Sequence, residues 1–233
     1  MTLLSVVRDV CAAVGVTVPQ SVFSNINGNR TMQEMVSLAN EMAQRIAYDT
    51  RDWTMMSVIN TYTGDGVTTA WYLPANFKRL LLNSNVRRSS STQTPLRFIA
   101  DFDEWMQRRI DNIVHAHGEW TIYGGFMHIF PALAVGETAT YAYIDKNPVD
   151  IHGTGTGEAD TFMNDDDKFY LDERLLKLGM IYQWKAQKGS SYAEDMSTYG
   201  DALAIAMGHD KPAPTFIDHK LISASISYPW PVP

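Results

Sequence analysis

His115-Ala-His117-Gly-Glu119 spaces two imidazoles and a carboxylate at alternate positions, so that a strand would carry all three on one side, with His128 following across an expected hairpin. Zinc needs three or four such ligands converging at about 2 Å. No further histidine or cysteine is close in sequence, so polar strand-end residues are the better reading and no metal is expected. Asn164-Asp-Asp-Asp167 offers the hard oxygens that calcium takes, yet it lacks the alternating spacing, mid-loop glycine and distal glutamate of an EF-hand. Acids placed just before a helix are explained by the helix dipole alone. Thr154-Gly-Thr-Gly157 has no lysine after it and no strand-to-helix setting, which makes it a loop rather than a phosphate cradle. Asp101, Asp103 and Glu104 are of the types a glycosidase pair uses, but the same residues suit a helix cap, and no serine lies in a nucleophile elbow. No catalytic residue, cofactor or enzymatic activity is therefore expected.

Aromatic residues and the C-terminal tail suggest binding instead. Trp53, Trp71, Trp105 and Trp120 could line a sugar-binding face, although single tryptophans on alternating strands more commonly fill a core. The last stretch is different. Phe216, Ile217, Leu221, Ile222, Ile226, Tyr228 and Trp230 follow the final helical pattern, while Pro212, Pro214, Pro229 and Pro231 exclude a helix around them. That is too much apolar surface for a solvated linker, so the tail is expected to lie in a partner's groove, with Trp230 an anchor.

The elements that must position these residues read as helices, then strands, then helices. Apolar spacing predicts helices over 2–14 and 31–50, the second opened by a Thr31–Glu34 capping box. β-Rich runs follow at 53–62, 67–73 and 79–86, the first two joined by a turn at Thr63-Gly-Asp-Gly66, and a further strand is expected at 96–99. Asp101 caps a short helix to Ile110 that offers Phe102, Trp105, Met106 and Ile110 to the core. Residues 120–123 and 126–130 form a hairpin across Gly124-Gly125, and 137–146 alternates as a strand. Helices close the pattern at 169–188 and 192–207, the second opened by a Ser191–Glu194 capping box. The fold class expected is α+β: a helical bundle from residues 1–51 and 165–208, a β-rich insertion over 52–164, and an extended arm over 209–233.

Composition sets the outer limits. The 233 residues, 45% hydrophobic, are enough for a substantial core. A single cysteine, Cys11, excludes an internal disulfide framework and sits on an apolar helix face, where it packs. Apolar runs fall well short of a membrane span, and the first residues lack the marks of a secretory signal, so neither insertion nor export is expected. The net charge of −7 is concentrated late, with seven basic against twelve acidic residues in 151–233. Such a surface disfavours adhesion to phosphate backbones but suits a wall past which DNA slides.

Several segments, taken in order, resemble the head-to-tail adaptor proteins of tailed bacteriophages. They are Asp49-Thr-Arg-Asp-Trp53, Thr63-Gly-Asp-Gly66 with Tyr72-Leu-Pro-Ala-Asn-Phe-Lys-Arg79, Phe162-Met-Asn-Asp-Asp-Asp-Lys-Phe-Tyr-Leu-Asp-Glu-Arg-Leu-Leu-Lys-Leu-Gly179, Ile181-Tyr-Gln-Trp-Lys185, Gly189 and Tyr192-Ala-Glu-Asp195. The resemblance implies a virion protein, made in the cytoplasm of a bacterial host, that assembles with neighbouring adaptor subunits as a dodecameric ring beneath the portal protein. It further implies a tail or nozzle protein below, DNA passing through the ring without sequence-specific binding, portal binding by the tail residues named above, and Asp165, Asp166 and Asp167 as channel-facing acids. The alternative is a carbohydrate-binding or tail-fibre-like β-module using Trp71, Trp105 or Trp120. A hydrolase using the carboxylates at 101–104 or 165–167 is a more distant one.

Overall fold

Leu3, Val6, Val7, Val10 and Cys11 recur on one side of the first helical run, and they are the residues it buries. In a computed structural model that describes residues 1–24, 26–82, 84–90, 94–153, 155 and 157–210, this run is helix α1 (Leu3–Val14). Thr2 caps its start through the Ser5 N–H, and Gly15 ends it at a φ of 73°. Helix α2 (Arg30–Gln44) starts earlier than the capping box predicts. Asn29 Oδ1 takes the N–H groups of Thr31 and Met32, while Glu34 pairs with Arg30 and with Lys188. The helix then widens into a π turn over Arg45–Asp49. The Ile46 carbonyl within that turn accepts both Thr50 Oγ1 (2.8 Å) and Trp53 Nε1 (2.7 Å), which fastens the exit of the chain.

Helix α3 (Phe102–Ile110) is capped by Asp101 as expected, but only Trp105 of its apolar residues is buried. Phe102, Met106 and Ile110 are exposed. Helix α4 (Glu173–Gln187) starts at the Asp172 cap rather than at Phe169, which belongs to a strand. Helix α5 (Ala193–His209) runs through Gly208, and Ser191 does not cap it: the N-cap position is Tyr192, with no side-chain bond. Helix α4 packs against α1, α2 and α5, the last through a Tyr182–Tyr199 ring pair 5.1 Å apart.

The strands are β1 (Ser57–Thr63), β2 (Ala70–Tyr72), β3 (Phe77–Leu80), β4 (Arg87–Arg88), β5 (Arg97–Phe98), β6 (Glu119–Tyr123), β7 (Phe126–Phe130), β8 (Thr138–Asp145), β9 (Val149–Asp150), β10 (Glu158–Ala159) and β11 (Lys168–Phe169). Strand β8 carries β1 on one side and β3 and β4 on the other. A second sheet has the order β2-β7-β6-β5, and β9 lies between β10 and β11 in a third. All pairs are antiparallel except β5 with β6. The β6–β7 hairpin turns at Gly124 and Gly125, both at positive φ, as expected. The expected pairing of the first two strands does not form, because β1 joins β8 and β2 joins β7. Among the described residues the chain is thus an α+β fold with five α-helices and three sheets.

Two apolar cores divide it. The first gathers α1, α2 and α4 with Trp53, Met56, Ile144, Val149, Phe162 and Phe169. The second lies in the β-module around Tyr62, Trp120, Met127, Ile129, Leu133 and Tyr141.

Gly64 explains why the turn after β1 does not make a tight hairpin. Its N–H donates to Glu137 O (2.7 Å), its carbonyl accepts from Gly136, and a Cβ there would lie 2.3 Å from Ala134 O and 2.5 Å from Leu133 Cβ. Gly64 serves close approach of two backbones, not positive φ. Gly64→Ala is expected to cost about 1–3 kcal/mol in urea unfolding through overpacking; an unchanged midpoint would show that the 133–134 segment moves aside freely.

Candidate functional site

Chemistry-bearing residues are mostly spent inside the fold. Glu119, fully buried on β6, receives Arg108 Nη1 and Arg109 Nη2 from α3 at 2.6 Å each. Arg109 is layered between Trp105 and Phe130, its guanidinium carbon 4.5 and 3.6 Å from the ring centres. This carboxylate is therefore not available as a ligand beside His115 and His117, whose rings lie 5.8 Å apart. His128 instead stacks on Tyr123 at 3.7 Å, and burial holds its pKa below the ordinary value. No group of three or more histidine, cysteine or acidic residues placed to hold a metal occurs among the described residues.

Burial of the tryptophans follows the expected core reading. Trp53, Trp105 and Trp120 are core residues, and the partly buried Trp71 stacks on Tyr62 at 5.2 Å with its indole N–H enclosed. They form no open platform for a sugar ring. Asp101 is a helix cap, and Glu104 pairs with Arg97 and Arg108.

The acidic run 165–167 precedes β11, not a helix, and its three carboxylates have different fates. Asp165 Oδ1 accepts the N–H groups of Val22 and Phe23 at 2.9 and 3.2 Å. Asp167, with no exposed surface, accepts those of His152, Met163 and Asn164 at 3.0, 2.7 and 2.8 Å. Burial pushes the Asp167 pKa up, but these donors outweigh it and hold the group below the ordinary carboxylate value. The backbone of the run also caps α1, since Leu3 N–H donates to Asp167 O and Leu4 N–H to Asp165 O. Asp167 cannot face a channel, which corrects the expectation for that residue; Asp166 is the exposed member.

Sequence reasoning missed the root of the tail. Asp210, directly after α5, accepts the Thr54 N–H with both carboxylate oxygens (3.1 and 3.2 Å) and pairs with Arg51 (3.2 Å). Arg51 also donates to Met207 O at 2.6 Å, meeting the negative end of the helix dipole. Beside this clamp, Asp52 pairs with Arg79 and accepts the Leu82 N–H; burial raises its pKa, yet these contacts bring it below the ordinary value. A groove of about 650 Å³ opens here, lined among others by Tyr48, Arg51, Arg79, Leu81, Leu82 and Met207. Asp210 and Thr54 are 156 positions apart, so no local pattern reveals the clamp. Phe216, Ile217, Leu221, Ile222, Ile226, Tyr228 and Trp230 lie outside the described residues.

No helix among the described residues is long and apolar enough to cross a membrane. No family model and no curated protein matches the chain.

Proposed function

We propose that this chain is a structural head-to-tail adaptor of a tailed phage, a ring subunit beneath the portal that links the DNA-filled capsid to the tail. The observation that carries this reading is the tail of 23 residues beyond Asp210, rich in large apolar groups and punctuated by proline, leaving from a point held by Arg51 and Thr54. A binding arm works best when its root is fixed, because less freedom is then lost on docking. In this reading α1, α2, α4 and α5 form a helical bundle with the β-module as its insertion, and the arm engages the portal. Neighbouring subunits, a tail or nozzle protein and passing DNA are its other partners, with exposed Asp166 contributing to an acidic wall. Burial of Trp105 and Trp120, and enclosure of the indole N–H of the partly buried Trp71, weigh against the sugar-binding alternative.

Trp230→Ala tests the reading. Anchors of this type contribute roughly 2 kcal/mol, so attachment of the purified chain to DNA-filled heads is expected to weaken about 30-fold at an unchanged melting temperature. Undiminished attachment would remove the tail from the interface.

A further inference from the structure

Strand β1 has an empty side. Its seven residues pair with β8 from Ser57↔Ile144 to Thr63↔Thr138 without a register break, and no other strand among the described residues joins it. The direction of each backbone group follows from the neighbours. Leu81 N–H donates to Ala142 O, Ala142 N–H to Ser84 Oγ, and Ser89 N–H to Thr138 O, so even-numbered residues of β8 face β3 and β4. In an antiparallel ladder the odd-numbered residues must then face β1, bonding Val58, Asn60 and Tyr62. The Gly64 N–H bond to Glu137 O continues the same alternation. Ile59, Thr61 and Thr63 therefore turn their N–H and C=O groups outward, while the Ser57 N–H on the same side is taken by the Thr54 carbonyl.

This edge lacks the devices that normally protect one. It has no proline, no charged residue and no bulge, and Ile59 is 73% exposed. The other edge strands among the described residues are shorter: β3 has four residues, β2 three, and β4, β5, β10 and β11 two each.

We infer that the outer edge of β1 is the seat of residues 222–228 of the same chain. Ile222, Ala224, Ile226 and Tyr228 alternate with Ser223, Ser225 and Ser227, a period-two pattern of seven residues between Pro214 and Pro229 that matches the seven residues of β1. Apolar groups on one face and serines on the other suit a strand added to a half-buried sheet. Position favours the same copy over a second one. Asp210 is bonded to Thr54, three residues before β1 begins. The eleven residues 211–221 reach up to about 36 Å, against about 24 Å for the length of β1, so the segment can enter from either end. Tethering at this range gives an effective concentration of order millimolar, far above that of a second copy in micromolar solution. The pairing stands apart from the adaptor reading. Only its consequence rests on that reading: portal capture of Ile222, Ile226 and Tyr228 withdraws the segment and uncovers β1.

Amide hydrogen exchange on the full chain, without phage heads, tests the seat. The outward amides of Ile59 and Thr61 are expected to exchange on the order of 100-fold slower than open-edge amides, equally at low and high protein concentration. Ala224→Pro with Ser225→Pro removes two adjacent donors, one of which must face the ladder, and should return both amides to open-edge rates while inward Asn60 stays protected. Fast exchange of Ile59 and Thr61 in the unmodified chain overturns the proposal. So does protection that survives the double substitution, and so does protection that rises with concentration, which would assign the edge to a second copy. Attachment to heads is absent from this assay, so its outcome is separate from that of Trp230→Ala.

Discussion

Glu119→Ala is expected to destabilise the chain by about 3–5 kcal/mol, a large share of the 5–15 kcal/mol that holds a typical domain folded. Removing the carboxylate leaves Arg108 and Arg109 partly buried without their shared counter-charge, and Arg109 cannot swing to water without leaving the slot between Trp105 and Phe130. Losing a whole ion cluster can be nearly neutral, whereas losing one member is not. Urea unfolding of Glu119→Ala beside a Glu119→Leu, Arg108→Leu, Arg109→Met triple variant separates the two: the triple variant should recover much of the loss. A single-variant cost below about 1 kcal/mol would mean that water already reaches the arginines.

Asp167→Ala carries the second large expected effect, about 3 kcal/mol at neutral pH. Three backbone N–H groups lose their acceptor at once, and each unsatisfied buried donor costs about 1–3 kcal/mol, reduced where water enters. Asn in its place keeps one acceptor oxygen but points an NH₂ at the remaining donors, so Asp167→Asn should recover only part of the loss. The pH dependence has a definite sign. The folded pKa lies below the unfolded one, so the ionised carboxylate stabilises the fold above the ordinary value near 3.9, and that contribution is lost as pH falls through the folded value. The gap between parent and Asp167→Ala, measured by urea unfolding from pH 7 downward, should hold to about pH 4 and narrow below it. A gap that is constant to pH 3 would show that the charge plays no part.

The Glu119 role is not visible as a local pattern, and the Asp167 role only in part, since Met163 and Asn164 are near it in sequence but His152 is not; the reason is physical. Helix α1, the Asp101 cap and the Gly124-Gly125 hairpin depend on residues within a few positions of one another, and the sequence shows them. Where two local solutions compete, distant contacts decide. Thr31 and Asn29 are both good caps, but Glu34 is taken by Lys188 at the far end of α4, and the helix starts on Asn29. Asp165 reads as a helix-end acid until Val22 and Phe23, more than 140 positions earlier, present their N–H groups. Gly64 reads as a hairpin glycine until the 133–134 backbone lies against it. The tryptophans had no sequence feature to separate a sugar platform from a core; burial supplied it.

The Asp210 clamp has a mechanical consequence. Tension applied beyond residue 210 does not fall on the last turn of α5 alone. Asp210 shares it with Thr54 and Arg51 on the short stretch between α2 and β1, and Arg51 in turn holds the Met207 carbonyl of α5. That stretch is itself fastened to Ile46 through Thr50 and Trp53 on one side and runs into the β1–β8 ladder on the other. A load on the tail is thus divided between α5 and the stretch that joins the two cores, so that several bonds share it.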